Sequence, residues 1–151
     1  DPYQFTTPHA KTLWRPSADE QMTADRSVLE STLQWWAGQP QHIQDEAFSE
    51  EGRIPLEVFF KDLNKYLVGV DKIWCQGPQF DMVILENLYK QFDHHTNWAF
   101  WQIMDCRTIF NMMPVDPRKA IQQNLHSADE DAYYQAICVQ GVFQHWGIMP
   151  R

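Results

Sequence analysis

Apolar positions recur along this chain with helical spacing in three long stretches. Between these stretches they bunch into short runs. The clearest stretch is IPLEVFFKDLNKYLVG, where Leu56, Phe59, Phe60, Leu63 and Leu67 fall on one face. Pro55 sits at its start and Gly69 near its end, as helix boundaries require. PQFDMVILENLYKQF predicts a second helix with Phe80, Ile84 and Leu88 on one face. A third is expected from about Ala128 to Trp146, burying Ala128, Ala132, Ala136, Val139 and Phe143. Upstream, the pattern predicts a helix from about Ser27 to Ala37 that Gly38 can cap. Pro40 then opens a short helix over PQHIQDEAF. KIWCQG predicts a short buried strand, and WQIMDCRTIFNMM a strand running into a short helix near Asp105–Thr108. HAKTLWR, residues 9–15, is a further strand candidate. The polar segment Ser17–Asp25 is expected to be a loop, as are SEEGR and DHHTNWAF. PVDPRKAIQQNL, with two prolines, is expected to be irregular. Strands alternating with helices define an α/β class.

Composition narrows the reading. A chain of 151 residues with 44% hydrophobic content can bury a sizeable core within one domain. No apolar run is long enough for a membrane helix and no leader pattern is visible, so a soluble protein without a membrane partner is expected. The three cysteines, Cys75, Cys106 and Cys138, are an odd, widely spaced set with no zinc-binding spacing. They read as free thiols in a reducing cytoplasm. A formal charge of −8 argues against holding nucleic acid by bulk electrostatics. It leaves open an enzyme that reaches nucleic acid through metal ions.

The candidate chemistry lies at two helix starts. In HSADEDA, Ser127 and Glu130 fit a capping box, and the acids of the first turn suit the helix dipole. Neither accounts for His126 or for Asp131, which lies at the edge of the expected buried stripe. In QGPQFD, Asp81 opens a helix straight after a strand and a Gly-Pro turn. Carboxylates at such junctions stand at the rim of a sheet. Mg²⁺ prefers oxygen ligands and suits a few carboxylates plus a substrate phosphate.

Taken in order, the segments resemble a known family. STLQWW, KIWCQGPQFDMVIL, FWQIMDCRTIF and HSADEDA together are similar to the motifs of DEDDh-type 3′–5′ exonucleases. That superfamily has the ribonuclease H-like fold, and the nearest likeness is to the phage exonuclease A type and compact bacterial 3′–5′ exoribonucleases. The similarity covers roughly residues 10–146. One departure within it is Met104, where the family usually has Arg. The resemblance implies a mixed sheet flanked by helices. It also implies 3′–5′ hydrolysis of single-stranded DNA or RNA by two Mg²⁺ or Mn²⁺ ions. Asp81 and Asp131 would be metal carboxylates, and His126 the general base, a role its ordinary pKa suits. Phe80, Trp36 and Arg107 would contact the substrate, the aromatics by stacking on bases. Asp105 matches the family near the site, and a capping role is equally open to it. Some members of the family dimerise, so a homodimer remains open.

The family's first motif, an Asp-x-Glu pair on the first central strand, has no counterpart here. DP at the start matches the turn after the second strand. The expectation is therefore a single exonuclease-like domain, residues 1–151, lacking its first strands because the sequence begins inside a longer protein. The alternative is a catalytically inactive module that binds nucleic acid or protein with the same fold.

Overall fold

The computed structural model describes residues 12–24, 26–120 and 127–148. The chain divides into two compact units, one of residues 13–66 and the other built mainly from residues 67–151.

The first unit holds four helices: α1 (Ala18–Thr23), α2 (Glu30–Ala37), α3 (Gln41–Phe48) and α4 (Leu56–Tyr66). The segment Ser17–Asp25, expected to be a loop, thus contains a helix. The Ser17 hydroxyl accepts the Glu20 backbone N–H at 3.2 Å and satisfies one of the open donors of the first turn. The Glu20 carboxylate turns away to accept the Leu56 N–H at 2.8 Å, which caps α4 from a distant stretch of chain. α2 begins three residues later than its periodicity suggests. Over its described part, the strand candidate 9–15 has no regular structure. In its place Pro16 forms an isolated parallel bridge with Ile54, with Ile54 N–H donating to Arg15 and Ser17 N–H to Ile54, both at 2.8 Å. α4 keeps its predicted face: Leu56, Phe59 and Phe60 are buried. Trp36 is half-buried, edge-on to Trp35 and Phe48 at 5.0 and 5.5 Å, while Trp35 points outward.

The second unit is organised by a two-stranded parallel sheet. β1 (Ile73–Cys75) and β2 (Ile103–Asp105) pair in the register Ile73–Ile103, Trp74–Met104 and Cys75–Asp105. Parallel neighbours need a long crossover, and α5 (Pro78–Gln91) lies within it and packs on both strands. Before β2, Gln102 of the 3-10 turn Phe100–Gln102 ties two loops together. Its side-chain oxygen accepts Ala99 N–H at 2.8 Å, and its amide donates to the Val70 carbonyl at 2.6 Å. β2 runs directly into α6 (Cys106–Phe110), as expected. A 3-10 turn, Pro117–Ala120, precedes α7 (Ala128–Trp146). α7 packs on α6, on that turn and on β1. The mixed sheet expected from the resemblance is, among the described residues, this parallel pair, and helices dominate the mixed α/β fold.

Two predicted faces are rotated. α5 buries Met82, Leu88 and Tyr89, while Phe80 is 71% exposed and Ile84 is also outward. α7 buries Cys138, Val139 and Val142 against Cys106 and Phe110, with Trp74, Ile109, Met113 and Phe143 around them. Ala128 and Ala132, placed in the stripe by spacing, are exposed. Ala132 and Ala136 instead line an apolar cavity of 250 Å³ with Trp74, Cys106 and Val139. The three cysteines carry free thiols. Among the described residues no helix is long and apolar enough to cross a membrane.

Candidate active site

In open α/β sheets, ligands bind beyond the carboxyl ends of the strands, where loops and helix starts converge. Here β1 ends at Cys75 and β2 at Asp105, on the same rung. The segments leaving the two strands therefore lie side by side. After β1 the chain turns at Gly77, whose φ of 120° favours glycine. The Gly77 carbonyl accepts the N–H groups of Phe80 and Asp81 at 2.8 and 3.2 Å and so fixes the first turn of α5. Pro78 suits that turn because it lacks an N–H that would have no helical acceptor. Asp81 is the acidic residue of this turn, and Phe80 stands exposed beside it.

After β2, Asp105 caps α6. Its two carboxylate oxygens accept the Arg107 N–H at 3.0 Å and the Thr108 hydroxyl at 2.7 Å. Of the two roles open to Asp105, capping is the one these bonds perform. Arg107 reaches back across the rung, and its Nη2 donates to the Gln76 carbonyl at 3.3 Å.

Burial raises the Asp81 carboxyl above its ordinary value, and the Arg107 charge opposes that rise. Cys75 lies within electrostatic reach of both acids. Burial first, then Asp81 and Asp105, push its thiol up to about 11. Burial likewise lifts Cys106 to about 12 and raises Cys138. All three thiols stay protonated at neutral pH, so none is an activated nucleophile. The groups left for chemistry are carboxylates, a guanidinium and an exposed aromatic ring. Sequence reasoning placed the Gly-Pro turn here and read Cys75 as a free thiol, without placing that thiol beside the two acids.

The structure thus brings Asp81, Arg107, Asp105 and Cys75 together at one end of the sheet. Asp131 is half-buried in the first turn of α7, where its N–H donates to the Ser127 carbonyl at 2.8 Å. The expected capping box is not made there: the Ser127 hydroxyl donates to the Asp129 carboxylate at 2.8 Å instead. His126 lies outside the described residues. Trp36 belongs to the unit of residues 13–66. Among the described residues no three His, Cys, Asp or Glu side chains gather closely enough to hold a metal ion.

Comparison with known proteins defines the class: the chain carries a domain of a 3′–5′ exonuclease family. The family model of the Rv2179c-like 3′–5′ exoribonuclease domain matches residues 10–143, and the chain belongs to that family. No curated protein and no solved structure matches the chain.

Proposed function

We propose that this chain is a 3′–5′ exonuclease domain of the DEDDh type with a ribonuclease H-like fold, acting on single-stranded RNA or DNA 3′ ends. The family match over residues 10–143 is the observation that carries this reading, and its description favours RNA. In the reaction, water adds to the terminal phosphorus and the P–O3′ bond to the preceding nucleotide breaks. A nucleoside 5′-monophosphate leaves, and the shortened strand keeps a 3′-hydroxyl. His126 takes the proton from the attacking water. Asp81 and Asp131 serve as carboxylate ligands. Bound Mg²⁺ or Mn²⁺, as a pair, would supply activation of the water and neutralisation of the phosphate charge. Phe80, exposed beside Asp81, offers a face on which a terminal base can stack. Arg107 supplies positive charge where the other charged groups are acids, which a phosphate backbone needs. Trp36 is a third proposed contact, on the resemblance of its STLQWW segment alone.

The test is release of mononucleotides from single-stranded RNA and DNA by the protein, with and without Mg²⁺. Asp131→Asn is expected to abolish release while leaving the fold intact. Full activity in that variant would refute the assignment. A second reading, a binding module without turnover, draws on the lack of a three-donor group among the described residues. It predicts RNA binding without mononucleotide release and without a tight divalent-ion site.

A further inference from the structure

Arg107 closes a ring of contacts around the junction that carries Asp81. Its main chain is held by the Asp105 carboxylate at 3.0 Å, and Asp105 shares a rung with Cys75. Its side chain then spans to the other strand's exit and donates to the Gln76 carbonyl at 3.3 Å. The fork of the guanidinium lies over Gly77: a Cβ there would sit 3.8 and 3.9 Å from Nη2 and Nη1. The clamped turn places Gly77 at φ 120°, a conformation open to glycine and strained for other residues. The Gly77 carbonyl in turn sets the amides of Phe80 and Asp81. We propose that Arg107 is a positioning residue, locking the β1–α5 turn so that Asp81 and Phe80 face the site in one orientation. The proposal rests on the exonuclease reading and adds to the charge that Arg107 lends there. It also requires arginine itself. Lysine carries the same charge as a single point on a flexible stem and cannot cover Gly77 while bonding Gln76.

Arg107→Lys is therefore the informative variant, because it keeps the attraction for phosphate and removes the clamp. Amide hydrogen exchange at Phe80 and Asp81 is expected to accelerate by about tenfold, the scale of a lost charged hydrogen bond. In the exonuclease assay, kcat is expected to fall about tenfold or more while KM stays within about threefold. Thr108→Val, which loosens the Asp105 anchor, is expected to accelerate the same two amides to a smaller degree. It serves alone if the lysine variant does not fold. Unchanged exchange at both amides would overturn the proposal. A raised KM with unchanged kcat would also do so, since that pattern belongs to a substrate contact only. Exchange is read without turnover, so it decides the clamp even if Asp131→Asn shows the exonuclease reading to be wrong.

Discussion

Gly77→Ala isolates the backbone strain at the junction between β1 and α5. The residue sits at φ 120° and ψ 68°, outside the regions that L side chains occupy readily. An added Cβ would meet its nearest atoms, Arg107 Nη2 and Nη1, at 3.8 and 3.9 Å. Those are ordinary contacts, so steric overlap contributes nothing and the cost is conformational. Holding a non-glycine residue in such a region costs on the order of 1–3 kcal/mol. At this chain length each kcal/mol lowers Tm by about 2–4 °C, giving an expected fall of roughly 2–12 °C. If the peptide rotates to relieve the strain, the Gly77 carbonyl leaves the Phe80 and Asp81 amides, and their hydrogen exchange quickens instead. Urea unfolding and exchange together capture both outcomes. Gly38→Ala is the control: that residue ends α2 at φ −84°, which alanine adopts freely, and the variant should stay within about 0.5 kcal/mol of the parent. If Gly77→Ala proves as stable as Gly38→Ala with unchanged exchange, the strain argument fails.

Two other substitutions have outcomes set by local geometry. Gly141 lies inside α7, and a Cβ added there meets nothing within 4 Å. Gly141→Ala should raise stability by about 0.5–1 kcal/mol in urea unfolding, by removing glycine's entropic cost from a helix interior. Asp116 accepts from the Arg118 side chain at 2.7 and 2.9 Å, and these bonds, with the Arg118 N–H, lower its carboxyl from the ordinary 3.8 to about 2. Because the folded value is the depressed one, the stabilisation is complete above pH 4 and drains away as pH falls toward 2. Asp116→Asn should therefore cost at most about 1 kcal/mol at pH 7, the pair being partly exposed, and the gap from the parent should narrow in unfolding curves at pH 3.

The tetrapeptide Ser-Ala-Asp-Glu occurs twice, at residues 17–20 and 127–130, and shows how far local sequence reaches here. The second copy has the setting of a capping box, yet Ser127 donates to Asp129 and caps nothing. The first copy lies in a segment whose polarity predicts a loop, yet Ser17 does cap α1. Its Glu20 cannot complete the box, because the Ser17 N–H is already given to Ile54 and Glu20 is given to Leu56. Partners far away in the chain decide which half of the motif forms. The face of α5 failed for a different reason. Phe80, Met82, Val83, Ile84 and Leu85 make its first half apolar nearly all round, so helical spacing admits more than one buried stripe. β1, β2, α4 and the limits of α7 were legible because their patterns were clear, whereas the strand candidate 9–15 has no regular structure over its described part. At the site, Asp81 could be located at a strand-to-helix junction from sequence. Its proximity to Arg107 could not, since it depends on which rung joins β1 to β2.

That proximity constrains how the protein can vary. Three rungs are too few to hold a register by themselves, so the packed helices must keep the two strands aligned. The working groups are then metered by short counts of residues: six from Cys75 to Asp81, and two from Asp105 to Arg107. Substitutions within the strands leave those counts untouched. A single inserted or deleted residue in either span would swing its side chain about a third of a helical turn away from its neighbour. Spacing, more than composition, is what descent must preserve at this end of the molecule.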